Sequence, residues 1–200
     1  MAKERLKSPR ARLFVALDIP EDLREGLAEW GGRALRDPAL RPLPPASLHV
    51  TLAFLGYRPE KEIDRIAAAI QEAASPAPWI ELRDPLPRPP RGRARLFALP
   101  VISPETESLQ AAVEASLVAG GFYEPEKRPF WPHLTVARVR PEARGSRRPA
   151  VVESPPGPLP PELCEPRLAV RGALYRSELQ PTGARYVPLA QLELPGAGWQ

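Results

Sequence analysis

Hydrophobic and polar positions follow two periods along this chain. "ARLFVALDI" (11–19) is an apolar, partly alternating run that predicts a strand. "PEDLREGLAEWGGRAL" (20–35) opens on Pro and acidic residues and spaces its apolar positions helically, so it predicts a helix. "SLHVTLAFLG" (47–56) is a second strand closed by Gly56. In "PEKEIDRIAAAIQEAA" (59–74), Ile63, Ile66, Ile70 and Ala73 recur at spacings of three and four, the stripe of an amphipathic helix. "WIELRD" (79–84) is short and strand-like.

The second half repeats the plan. "RARLFALPVI" (93–102) matches "ARLFVALDI" in pattern and letters, and "PETESLQAAVEASLVAGG" (104–121) is a helix with a Gly terminus. "HLTVARVR" (133–140) is the strand that follows, and two more strands are predicted in "EPRLAVRGALYRSEL" and "ARYVPLAQLEL". The order strand, helix, H-x-T strand thus occurs twice at an offset of 82 to 84 residues, which reads as an internal duplication. Two stretches interrupt it. "RDPLPRPPRGR" (83–93) is a Pro/Arg linker, and residues 140–166 form a long Pro-rich insert expected to be irregular or mobile. The basic cluster Arg144, Arg147 and Arg148 in that insert reads as a solvated loop, or as a contact to an RNA backbone.

The duplication gives the chemistry its frame. The only two histidines, His49 and His133, lie 84 residues apart, each two positions before a threonine, Thr51 and Thr135. In a strand, positions i and i+2 share a face, so each segment presents a His–Thr pair on one side. Val50, Leu52, Leu134 and Val136 point the other way, into a core. A single such histidine is ordinarily structural. Two in duplicated flanks point to one shared site.

Composition narrows what that site can be. Two histidines and one cysteine, Cys164, fall short of the three or more side chains a zinc or iron centre usually takes, so no metal is expected. No G-x-S-x-G and no P-loop pattern occurs, which sets aside serine hydrolases and nucleotide triphosphatases. A lone cysteine forms no internal disulfide, and no apolar run approaches the roughly 20 residues of a membrane span. The N-terminus is basic without a signal-peptide core, so a cytoplasmic location is expected. Net charge is +4, carried by 24 arginines against four lysines. Arginine forks suit a phosphate-bearing partner, although a GC-rich genome produces the same bias.

Two opposed histidines suit acid–base catalysis at a phosphodiester, because an imidazole populates both protonation states near neutral pH. Threonine hydroxyls can donate to the phosphate oxygens or orient the rings. Arg138 could offset the developing charge, but its odd offset from Thr135 puts it on the opposite face unless the strand is bulged or ending.

"LHVTLAFLG", "PHLTVARV" and "LYRSELQPTGARYVPL" together resemble the 2H phosphoesterase superfamily, within it the RNA 2′,3′-cyclic phosphodiesterases of the bacterial and archaeal 2′-5′ RNA ligase type. The resemblance runs from "RLFVALDIP" to "YVPL" and implies an α+β fold across residues 1–200. That fold is a pseudo-duplicated, two-lobed arrangement of two antiparallel sheets facing across a central cleft, with helices outside. It implies metal-independent, cofactor-free opening of an RNA 2′,3′-cyclic phosphate to a 2′-phosphomonoester, by His49, Thr51, His133 and Thr135, with Arg138 near the phosphate. The alternatives are the reverse reaction, 2′-5′ ligation, and a non-catalytic RNA-end binding protein. The residues leave the direction of proton transfer open, with His133 favoured as base and His49 as acid. The expected partner is RNA with a cyclic phosphate end, including tRNA fragments or small cyclic nucleotides, bound by a monomer away from membranes. Phe130 and Trp131 are the candidates for stacking a base, ahead of Phe54, which reads equally as core. The chain departs from the family where Pro42 and Leu43 stand before the first motif, and where the 140–166 insert replaces a helical segment.

Overall fold

The computed structural model describes residues 9–180 and 183–196; the basic N-terminal stretch lies outside them. The two halves contribute equivalent units. In the first, β1 (Arg10–Asp18) leads through α1 (Glu21–Ala34) to β3 (His49–Pro59), and α2 (Ile63–Gln71) follows. In the second, β6 (Leu96–Ile102) leads through α3 (Pro104–Ala119) to β7 (His133–Val139). β9 (Arg171–Gln180) and β10 (Gly183–Leu192) return to the first unit, while β4 (Trp79–Leu82) and β8 (Arg167–Leu168) complete the second. Two short strands that local pattern does not reveal are β2 (Leu40–Pro42) and, inside the Pro/Arg linker, β5 (Leu86–Arg88).

All strand pairs are antiparallel, in the order β10-β9-β1-β3-β7-β6-β4-β8, with β2 on β7 and β5 on β6. The halves β10-β9-β1-β3 and β7-β6-β4-β8 meet at one pair only, Val50 opposite Leu134. These are the middle residues of the two H-x-T motifs, so a pseudo-twofold axis passes between them.

Both motif strands carry a bulge at the same place. Val15 pairs with Ala53 and Ala16 with Thr51, leaving Leu52 extra; Phe97 pairs with Ala137 and Ala98 with Thr135, leaving Val136 extra. An extra residue resets the alternation of faces. Leu52 with Ala53, and Val136 with Ala137, are therefore both buried, and the following residues, Phe54 and Arg138, come out exposed.

The buried face of the sheet joins both halves in one apolar cluster. Leu13, Val15, Leu17, Val50, Leu99 and Leu134 pack there with Leu23, Leu27 and Trp30 of α1, Ile66 and Ile70 of α2, and Leu109, Val113 and Leu117 of α3. Each such large aliphatic side chain contributes about 1.5–3 kcal/mol on burial. The helices thus cover one face and leave the other open for the His–Thr pairs. The 140–166 insert is irregular except for one helical turn at Pro161–Cys164, and it is fastened. Trp30 Nε1 donates to the Pro158 carbonyl at 3.0 Å, and the Glu153 and Ser154 amides each donate to Asp37 Oδ2 at 2.8 Å. Arg93 and Arg148 pair with Glu142, and Leu159 and Leu163 are buried. An expected mobile loop is in fact a strap tied to α1 and to the turn after it.

Candidate active site

Strand register decides which side chains share the open face, because directly opposed residues project together. On β1, Phe14, Ala16 and Asp18 alternate onto one face and stand opposite Phe54, Thr51 and His49. On β6, Leu96, Ala98 and Pro100 do the same opposite Arg138, Thr135 and His133. The bulge at Val136 therefore brings Arg138 to the face of His133 and Thr135, which the unbroken alternation would not do. Around the Val50–Leu134 pair, His49 lies beside Thr135 and Thr51 beside His133. The four side chains form a square with the histidines on one diagonal, a separation of about 7–8 Å in ordinary strand geometry.

The imidazoles are held alike. His49 Nδ1 bonds to the Ser47 carbonyl at 2.8 Å and His133 Nδ1 to the Trp131 carbonyl at 2.7 Å, each two residues back. A carbonyl only accepts, so Nδ1 carries the proton in both rings and Nε2 faces the cleft. Neutral, Nε2 takes a proton; charged, it gives one.

The surroundings of the two rings differ. His49 stands opposite Asp18, and its ring centroid lies 5.0 Å from Phe14 and 5.1 Å from Tyr186. Asp18 accepts hydrogen bonds from Arg171 Nε at 2.8 Å and from the Tyr175 hydroxyl at 2.7 Å. Burial, with the bond to Asp18, raises the Tyr175 phenol. Burial pushes His49 down to about 4, against the opposing pull of the Ser47 carbonyl and the Asp18 carboxylate. His133 stands opposite Pro100 and stacks on Trp131 at 4.4 Å and 15°. Burial lowers it too, and the nearby charge is the Arg88 guanidinium, which lowers it further.

Arg88 was not singled out by its sequence context, a Pro/Arg linker with no periodicity. Its guanidinium carbon lies 3.4 Å from the Trp131 ring centroid, and its buried Nε has no hydrogen-bond partner among the described residues. Asp18, Arg171, Tyr175 and Tyr186 were likewise missed, because only the pairing of distant strands assembles them. Beside His49 they line a pocket of about 540 Å³ together with Phe14, Arg24 and the Pro44–Ala46 turn. Arg24 fixes that turn by donating to the Pro45 carbonyl at 2.6 Å.

Of the aromatic candidates, Phe130 packs against the core, and Trp131 is engaged by His133 and Arg88. Phe54 is 43% exposed on the open face with Arg12 over its ring at 4.8 Å. Among the described residues, no three His, Cys, Asp or Glu side chains gather into a metal-ligating group. No described helix is long and apolar enough to cross a membrane.

Fold and site define a paired-histidine phosphoesterase architecture, in which two equivalent strands each supply one H-x-T to a shared face. The chain belongs to the 2′-5′ RNA ligase superfamily, whose family model matches residues 19–161. It is 34% identical over 193 residues to an RNA 2′,3′-cyclic phosphodiesterase of Thermus thermophilus, covering 92% of this chain and 91% of that protein. A protein of the same name from Methanothermobacter thermautotrophicus is 30% identical over 189 residues, covering 92% of this chain and 100% of the relative. Among solved structures, TT0787 of Thermus thermophilus superposes with a TM-score of 0.74 at 29% identity, covering 94% of this chain and 100% of that one. Escherichia coli LigT complexed with 3′-AMP shares the fold, with a TM-score of 0.75 at 24% identity over 94% of this chain and 99% of its own.

Proposed function

We propose that this protein hydrolyses 2′,3′-cyclic phosphate ends of RNA to 2′-phosphomonoesters. The observation that carries this reading is the square of His49, Thr51, His133 and Thr135 on one open face, both Nδ1 atoms tied to backbone and both Nε2 atoms free for the substrate. The named relatives support the choice of substrate.

The charged groups near the two histidines support taking His49 as the acid and His133 as the base. Asp18 faces His49 and favours its imidazolium; Arg88 near His133 favours the neutral ring. A bound phosphate anion adds to the effect of Asp18 and lets His49 hold the proton that burial denies it in the empty site. His133 Nε2 then takes a proton from water as the water oxygen bonds to phosphorus. The bond from phosphorus to the 3′ oxygen breaks, and His49 Nε2–H gives that oxygen its proton. The products are a 2′-phosphomonoester and a free 3′-hydroxyl.

Thr51 and Thr135 donate to the non-bridging oxygens, and Arg88, with its unpartnered Nε, balances the charge gathering there. Trp131 positions His133 and Arg88 in place of stacking a base. The pocket beside His49 receives the terminal nucleoside, on the leaving-group side. The enzyme acts as a monomer, and tRNA fragments and small cyclic nucleotides carry the same reacting group. Ligation is the same pair of proton transfers with an RNA 5′-hydroxyl in place of water: its oxygen bonds to phosphorus as the bond to the 3′ oxygen breaks, and water in excess favours hydrolysis.

The test is incubation of an oligonucleotide ending in a 2′,3′-cyclic phosphate with the protein in EDTA. A 2′-phosphate product is expected, with His49→Ala and His133→Ala each lowering kcat by at least about 10²–10⁴-fold. Binding without turnover, or a metal requirement, overturns the reading.

A further inference from the structure

Two aromatic rings on the open face take no part in the proton transfers. Phe54 is 43% exposed and Tyr57 55%. An aromatic ring gains from leaving water, so two of them on one face beside a site mark a surface that a ligand covers. Both are held out by the backbone. The bulge at Leu52 turns Phe54 onto the open face, and a second bulge leaves Leu55 extra, since Leu13 pairs with Gly56 and Phe14 with Phe54. Gly56, at a φ of 68°, supplies the left-handed backbone at that bulge. Tyr57 therefore reaches the same face as Phe54, opposite Arg12.

Arg12 lies over the Phe54 ring, 4.8 Å from its centroid. It meets no carboxylate among the described residues, whereas nearby Arg58 pairs with Glu62 at 2.7 Å and Arg176 with Glu60 at 3.2 Å. Exposed rings with an arginine that has no acid beside it are the composition of a surface for single-stranded nucleic acid. The rings stack bases, and the cation meets the backbone.

This platform adjoins the site at two points. Under the pseudo-twofold, Phe54 takes the place in the first half that Arg138 takes in the second, three residues past the threonine and beyond the same bulge. It therefore borders the His–Thr square directly. Phe54 also stands opposite Phe14, whose ring lies 5.0 Å from that of His49 and walls the pocket that receives the terminal nucleoside. Neighbouring strands are about 4.8 Å apart, so a chain leaving that pocket over Phe14 meets Phe54 within one nucleotide. Sheets that bind single strands spread successive bases over such rings.

We propose that the base of the nucleotide 5′ to the terminal one stacks on Phe54, flanked by Arg12 and Tyr57, so that the enzyme prefers RNA ends with a purine in the penultimate position. This rests on the phosphodiesterase reading above and names a part of the substrate recognised beyond the reacting group. Stacking sets the preference, so adenine and guanine serve alike and pyrimidines less well.

The experiment compares dinucleotides that end in the same adenosine 2′,3′-cyclic phosphate and whose first residue carries adenine, uracil or no base. The abasic form keeps the linking phosphate, which separates stacking from charge. For the wild type, kcat/KM on the adenine dinucleotide exceeds that on the abasic one about tenfold, with uracil between. Phe54→Leu brings all three to one value, and Phe54→Trp restores the order. Equal kcat/KM for the adenine and abasic forms in the wild type overturns the platform with no variant needed. So does an adenine preference that survives in Phe54→Leu. A wild type that turns over none of the three brings down the phosphodiesterase reading instead. The platform is then judged by the affinity of 2′-phosphorylated dinucleotides: tighter binding of the adenine form, lost in Phe54→Leu, supports it, and equal binding of the adenine and abasic forms overturns it.

Discussion

His49 carries the sharpest conflict in the molecule: burial favours its neutral form, while its role as acid calls for the charged one. Asp18 pulls against that burial from the directly opposed position on β1 without cancelling it, and the bound phosphate supplies the rest. Replacing it by Asn removes the charge while keeping the shape. In kcat/KM, activity falls as pH rises through the pKa of the acid and as pH drops through that of the base. Asp18→Asn therefore moves the basic limb to lower pH and lowers activity on the order of tenfold at pH 8, whereas a purely structural role would leave the limb in place. Bound phosphate adds negative charge beside His49, so the basic limb of kcat lies at higher pH than that of kcat/KM. The same burial has a cost in stability. With His49 near 4 in the folded state and about 6.5 unfolded, the unfolded chain binds more protons between those values, so stability falls as pH drops through that window. His49→Asn should flatten this loss, read from urea melts at pH 7, 5.5 and 4; an unchanged slope would contradict it.

At the level of elements, the bulges do the decisive work. The sequence made the H-x-T strands and their duplication legible, because period-two patterning and repeated letters are local signals. It could not locate the extra residue after each threonine, since Leu52 and Val136 are apolar in either register. Without that fact, Arg138 falls on the face opposite Thr135 unless a bulge is allowed for, and Phe54 reads equally as core. β2 and β5 went unseen for a related reason: three-residue strands rich in Pro and Arg have no pattern of their own and exist only by pairing with β7 and β6. The ends of α1 and α3, by contrast, were readable, whereas α2 is shorter at both ends than the 59–74 its pattern suggests. Ser103 caps α3, its hydroxyl accepting the Thr106 amide at 3.0 Å, with Pro104 in the first turn. Ser103→Ala should cost about 1 kcal/mol of unfolding free energy with kcat on a cyclic phosphate substrate unchanged, because α3 packs on the face away from the site.

Across the whole molecule, long-range ties hold what composition suggested would be loose. Asp37, just after α1, accepts amides from Ala39, Glu153 and Ser154, and these bonds, that of Ser154 foremost, hold its carboxyl below the usual range. A depressed carboxylate contributes stability that is present above its unfolded pKa and lost as pH falls through its folded one. Asp37→Ala should free the Pro-rich strap. Limited proteolysis should then cut within residues 140–160 faster than in the wild type, while thermal unfolding moves to lower temperature. Cutting at the wild-type rate would show that the strap is held elsewhere. Proline content argued for an irregular or mobile segment here, and long-range ties, that of an aspartate 116 residues away in sequence among them, fasten it.

The lone rung between Val50 and Leu134 also has a mechanical meaning. The spacing of the four reacting side chains is set at this seam, and the seam is held from outside the site by β2 on β7 and by the apolar cluster that runs under both halves. Rocking of one half against the other is opposed there, so the imidazoles keep their register while the approach above them stays open to an RNA chain.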